Sequence, residues 1–297
     1  MANVLIIGSI NIDFVVRTDS FPRLGETLFG TDFSTHAGGK GANQAVAAAR
    51  LGAHVTILGC VGGDAFGEQL KSRLTKEGID TRWVRETQGI PTGIASITVC
   101  NGENAIVVVR GANASLTAAD LEVADSAFAA ADVVLAQLEV PLATVSHAAE
   151  LAARHGKPFI LNPAPATALP QSLLARCTLL TPNEYELATV FQRPKTPWQE
   201  ILALLPGRIV MTKGADGAYY RDASGSLCHQ PRFEVTAIDT TGAGDAFNGA
   251  LAAFWPLGLV EAVRRACAVG ALSVMKPGAQ EGMPSTAELD AFLRRAA

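Results

Sequence analysis

The chain has 297 residues, 48% hydrophobic and 18% charged, with 28 glycines and 15 prolines. Its 24 basic residues stand against 28 acidic ones, a formal net charge of −4. That is the wrong sign for a protein that grips nucleic acid by its phosphates, and the hydrophobic content excludes a largely disordered chain. No apolar run approaches the roughly 18 residues that cross a bilayer, so no membrane partner is expected. Five scattered cysteines without a C-x-x-C pattern point to reduced thiols in a cytoplasmic setting, not to disulfides or structural zinc.

Residues 4–7 read as a first buried strand, since no basic segment precedes them and the apolar stretch is too short for a leader. The runs 55–58, 133–138, 159–161, 178–180 and 209–212 are likewise apolar throughout, as parallel strands covered on both faces should be. Helical patterns over 42–51, 65–77 and 141–155 lie between them, each followed by a glycine suited to a left-handed stop. This alternation predicts an α/β fold, a doubly wound, mostly parallel sheet with helices on both faces.

Two segments break the rhythm. Residues 11–35 hold two period-two runs, 13–17 and 26–29, with Pro22 and Gly25 between them. Residues 92–110 read as a hairpin about Asn101-Gly102, because a type I′ turn needs positive φ at both central positions. Together they predict a small β-sheet lid of residues 11–35 and 92–110. Residues 1–10, 36–91 and 111–297 are then left as the α/β domain.

The most informative string is Asp239-Thr240-Thr241-Gly242-Ala243-Gly244-Asp245-Ala246-Phe247-Asn248-Gly249. A β-like run over 233–238 leads into it and an apolar helix over 246–255 leaves it. Small residues at a helix start let backbone N–H groups meet an anion, an arrangement suited to phosphate. Asp245 either complements the helix dipole or faces a hydroxyl that loses its proton on attacking phosphorus. Upstream, Gly38-Gly39-Lys40-Gly41-Ala42-Asn43 opens another helix without being a G-x-x-x-x-G-K-[ST] phosphate loop. Asn11 and Asp13 alternate on one strand face and could bind adjacent hydroxyls. In Thr181-Pro182-Asn183-Glu184-Tyr185-Glu186, Thr181 and Glu184 have capping-box spacing, which leaves Asn183 and Glu186 together on another face. The histidines form no H-x-x-H or H-E-x-x-H pattern, and the tryptophans are spread as packing residues.

These strings resemble the signatures of the ribokinase, or PfkB-type, family of carbohydrate kinases, almost from end to end. The resemblance implies a ribokinase-like fold, Asp245 as catalytic base, and Gly242, Ala243 and Gly244 as its anion hole. It further implies sugar contacts from Asn11, Asp13, Gly39, Lys40, Asn43 and Glu139. Asn183 and Glu186 would order hydrated Mg²⁺ and the nucleotide phosphates. ATP would lie along Thr212, Lys213, Gly214, Ala215, Asp216 and Gly217, beside Gly244. The adenine-lining position that is Asn in some members falls at Cys267. A K⁺ site built largely from carbonyls would match Asp239, Thr241, Ser273, Lys276, Gly278 and Gly282. The implied reaction is ATP-dependent phosphorylation of a pentose. Asn11, Asp13 and the intact 39–43 string lean towards D-ribose at its 5-hydroxyl; 2-deoxyribose, fructose or a nucleoside are the alternatives. A homodimer through the lids is implied as well. A sugar-binding protein without turnover would be expected to lose the base or the anion hole, and both are here.

Overall fold

The computed structural model describes residues 1–295. Its strands are β1 (Asn3–Ile7), β2 (Asn11–Arg17), β3 (Asp32–Gly38), β4 (His54–Gly62), β5 (Asp80–Thr87), β6 (Gly93–Cys100) and β7 (Glu103–Val109), followed by β8 (Val133–Ala136), β9 (Phe159–Leu161), β10 (Leu179–Leu180), β11 (Val210–Thr212), β12 (Ala218–Arg221) and β13 (Leu227–Gln230). Six of them form the central sheet in the order β10-β9-β8-β1-β4-β5, with every neighbouring pair parallel. Strands β11-β12-β13 form an antiparallel meander joined to the sheet's edge by the bridge Leu180–Ile209. A separate sheet runs β3-β2-β6-β7, parallel only between β2 and β6.

The alternation of β1 divides the core. Val4 and Ile6 join the cluster under the helices Lys40–Arg50, Ala243–Ala253 and Leu259–Ser273, whereas Leu5 and Ile7 join the opposite cluster with Phe128, Leu151 and Phe159. On the first face, Gly249 sets how closely two helices approach. A Cβ there would lie 2.5 Å from Gln44 O and 2.6 Å from Ala47 Cβ. The absence of a side chain thus brings the helices that carry Asn43 and Asp245 into backbone contact.

Several boundaries differ from the sequence reading. Residues 26–29 form no strand, and Phe29, like Leu24, is fully exposed. The partner of β2 is β3, in the register Asn11–Gly38 to Arg17–Asp32. A sheet with one open face needs no continuous apolar run, so Asp32–Gly38 carried little signal. The edge strand β5 lacks an apolar run for the same reason: Arg82 pairs with Asp80 and Arg85 with Asp120 along it. Residues 233–238 hold no strand, and the amides of Ile238 and Asp239 instead share Val274 O, at 2.7 and 3.1 Å. Among the described residues no helix is long and apolar enough to cross a membrane.

Candidate active site

The site forms where β1 ends and two helices begin. Behind Gly39 (φ 88°) starts the helix Lys40–Arg50. A Cβ on Gly39 would sit 2.8 Å from Asn11 N and 2.9 Å from Ser9 O, and one on Gly41 would meet Gly8, so this glycine string is what lets the helix abut the β1–β2 connection. Asn11 Oδ1 accepts from Asn113 Nδ2 at 2.7 Å, and Asn113 Oδ1 accepts from Ile10 N at 2.9 Å. The Asp13 carboxylate occupies the space a side chain on Gly38 would fill. Glu139 Oε2 accepts from the Ser9 hydroxyl and, at 3.1 Å, from Lys40 N.

The second helix, Ala243–Ala253, follows Gly242, which is left-handed (φ 77°) and lies against Ala279. Its first-turn N–H groups have no carbonyl four residues earlier within the helix, and Gly244 faces open space. Asp245, in that turn, is buried to 7% exposure. Asn43 Nδ2 donates to its Oδ2 at 2.9 Å and Gln44 Nε2 to its Oδ1 at 3.0 Å. Gln44 also donates to Asn162 Oδ1 and accepts from Gln137 Nε2, while Asn43 Oδ1 accepts from Gln280 Nε2. Ser9, Gln44, Asn113, Gln137, Asn162 and Gln280 received no role from the sequence. All sit inside or beside its motifs, but nothing local marks a bond between residues some two hundred positions apart.

Charge in this cleft is predominantly negative. Burial raises the Asp245 carboxyl, opposed by Lys40, Asn43 and Gln44. Asp13 is pushed up to about 7 by burial, then by Glu139, Asp245 and Glu281, with Lys40 pulling the other way. Burial works to lower the Lys40 ammonium, but Asp245, Glu139, Glu186 and Asp13 outweigh it and hold the group above its ordinary value. One cation among the four carboxyl groups that act on it makes a pocket rich in acceptors, suited to a neutral ligand that brings many hydroxyl donors.

The capping box of the helix Glu184–Val190 lies two residues later than its spacing suggested. Asn183 is the N-cap: its Oδ1 accepts from Glu186 N, and Glu186 Oε2 accepts from Asn183 N, both at 2.8 Å. Thr181 is taken instead by Asn248 Oδ1, at 2.5 Å, and Asn248 Nδ2 donates to Gly244 O. Asn183 therefore holds the helix start, and Glu186 keeps Oε1 for a ligand. Next to it, Thr212 N donates to Pro182 O at 2.9 Å. The loop beyond, Lys213 to Gly217 through Gly214, Ala215 and Asp216, closes with Lys213 N on Gly217 O and an Lys213–Asp216 ion pair at 3.3 Å. Cys267 is half-buried on the helix Leu259–Ser273, its thiol pushed up to about 12 by burial and so neutral.

The remaining residues converge on one corner. Asp239 accepts from Thr241 N and Gly278 N, each at 2.9 Å; burial would raise its carboxyl, but these bonds hold it low. A Cβ on Gly282 would lie 2.5 Å from Ser273 O and 3.6 Å from Lys276 O. Lys276 Nζ is committed to Glu288 at 2.6 Å, so this residue offers the corner its carbonyl.

A model of the pfkB family of carbohydrate kinases matches residues 1–286. The ribokinase of Bacillus subtilis is 42% identical over 295 residues, covering 99% of this chain and 100% of that protein. The deoxyribokinase of Salmonella typhi is 36% identical over 302 residues, covering 98% of each. The solved structure of Arabidopsis thaliana ribokinase complexed with ribose and ATP matches with a TM-score of 0.90 at 29% identity, covering 99% of both chains.

Proposed function

The chain belongs to the pfkB family of carbohydrate kinases, and from that premise we propose that it transfers the γ-phosphate of ATP to the 5-hydroxyl of D-ribose. The observation that carries the reading is Asp245: a buried carboxylate at a helix start, both oxygens held by amides, beside the open space at Gly244. Asp245 takes the proton of the attacking hydroxyl as the new O–P bond forms and the bond from phosphorus to the leaving ADP oxygen breaks. The first-turn amides at Gly242, Ala243, Gly244 and Asp245 stabilise charge on the phosphoryl group in flight.

The sugar lies against Asn11, Asp13, Gly39, Lys40, Asn43 and Glu139. Because Asn113 occupies Asn11 Oδ1, Asn11 offers its NH₂; because Ser9 and Lys40 occupy Glu139 Oε2, Glu139 offers Oε1. The nucleotide runs past Asn183 and along Thr212–Gly217, with Cys267 near the base. Glu186 Oε1 fits a hydrated Mg²⁺, which would neutralise phosphate charge while bound mostly by water and nucleotide. The carbonyls of Ser273 and Lys276 about Gly282, with Asp239, Thr241 and Gly278, fit a K⁺ ion, which would offset the carbonyl dipoles gathered there.

The sheet β3-β2-β6-β7 acts as a lid that excludes water from the transfer. Its exposed apolar side chains, Val107 with Phe33 on one face and Ile106 with Val108 on the other, support a homodimer through the lids. Five free cysteines support a cytoplasmic setting. The Salmonella relative keeps 2-deoxyribose as the second reading. A coupled ADP-release assay over D-ribose, 2-deoxy-D-ribose, fructose and nucleosides, with and without K⁺, tests both. D-Ribose should give the highest kcat/KM; a higher value for another acceptor overturns the ribose assignment.

A further inference from the structure

Gln280 has no part in the reading above, yet it is fully buried and tied to the base. Its Nε2 donates to Asn43 Oδ1 at 3.1 Å, and Asn43 Nδ2 donates on to Asp245 Oδ2 at 2.9 Å. The backbone around it is clamped. Arg50 Nη1 donates to Gln280 O at 2.6 Å and to Met283 O at 3.0 Å, and Arg50 is itself paired with Glu77 at 2.6 Å. Gly278 N is bonded to Asp239 and Ala279 lies against Gly242, so the short helix Ala279–Gly282 is fixed relative to the helix that carries Asp245.

A carboxamide presents either oxygen or NH₂ to a neighbour after a half-turn that hardly changes its shape. Towards Asp245, the Asn43 nitrogen stabilises the carboxylate and the Asn43 oxygen repels it. We propose that Gln280 is a positioning residue that holds the Asn43 amide with its nitrogen towards Asp245, keeping that carboxylate ionised and aimed.

The bonds run in one direction. The carboxylate only accepts, so Asn43 must donate to it; Asn43 then accepts from Gln280, and Gln280 Oε1 is left as the last acceptor. That oxygen is buried and has no partner. A side chain serving only as filler would be better matched by a methionine of the same volume, whereas Gln280 spends its NH₂ on the Asn43 oxygen. The charged groups facing Asp245 are Lys40 from the helix Lys40–Arg50, Asp13 from β2, Glu139 from the loop after β8 and Glu186 from the helix Glu184–Val190. None of them is altered by replacing Gln280.

The inference rests on Asp245 being the base, but its test does not need turnover. In ligand-free protein labelled with ¹³C at aspartate carboxyls, with Asp245→Asn identifying the signal, the Asp245 titration midpoint should rise by about one pH unit in Gln280→Met. In an Asn43→Leu background the same Gln280→Met change should add no further shift. Where turnover is measured, Gln280→Met should lower kcat about tenfold with the sugar KM within about threefold, and the acid limb of kcat should move with the midpoint. An unmoved midpoint in a normally melting Gln280→Met protein overturns the proposal, as does a shift that persists without Asn43. A shifted midpoint beside unchanged turnover would instead leave the positioning role standing and remove Asp245 as the base.

Discussion

Around Asp245, amide side chains from four distant stretches of chain are buried and bonded to one another. On β7, by contrast, every residue is exposed and three consecutive valines follow Ile106. The first region is held by directed bonds whose geometry leaves little freedom; the second offers exposed apolar side chains on both faces of a strand, whose attraction is undirected and needs only a matching surface. Chemistry that must place a carboxylate to within a fraction of an ångström calls for the former. A cover that must open and close can be built from the latter.

The sharpest way to break this contrast is at the base. Asp245→Asn should lower kcat by about 10²–10⁴ in the ADP-release assay and leave equilibrium sugar binding nearly intact; turnover near wild type would remove the directed bonds from the mechanism. On the lid, Val107→Asp should turn a dimer at micromolar concentration into a monomer in sedimentation, about a hundredfold weakening or more. A wild-type protein already monomeric there would deny the exposed apolar side chains of β7 that role.

Three smaller effects separate fold from function. With its carboxyl raised to about 7, Asp13 keeps its proton in the folded protein at pH values where the unfolded chain has lost it. The ligand-free protein therefore loses stability from this group as pH rises from about 4 to about 7. Asp13→Asn should raise that stability by about 1–3 kcal/mol at pH 8 and by nothing at pH 4 in urea titrations, while sugar binding falls. Equal gains at both pH values would place the carboxyl outside the acidic cluster. Gly249→Ala, with its Cβ forced to 2.5 Å from Gln44 O, should cost about 1–3 kcal/mol. Gly244→Ala should leave the melting temperature unchanged and raise the KM for ATP, since the space its methyl enters is open to ligand and not to protein. A Gly244→Ala protein that melts early would contradict that separation.

The contrast also explains what could be read from the sequence. Buried parallel strands and glycine-led helix starts are local patterns, and so five strands of the central sheet and the helix starts at Lys40 and Ala243 are legible. Strand β3 is not, because an open-faced sheet asks little of its sequence, and the stretch at 26–29 carries the stronger strand pattern without forming one. Thr181 and Asn183 are both good caps two residues apart, and only the distant Asn248 decides between them. The amides Gln44 and Gln280 meet their partners across 201 and 237 positions, which no window along the chain can see.

The most direct test of the account is the distance from the Asp245 carboxylate to the ribose 5-oxygen in a crystal of this protein with D-ribose and a non-hydrolysable ATP analogue. The account predicts a hydrogen bond of about 2.6–3.2 Å, with the terminal phosphorus lying over the amides at Gly242 to Asp245. A carboxylate turned away onto Lys40, with the 5-oxygen out of its reach, would contradict it.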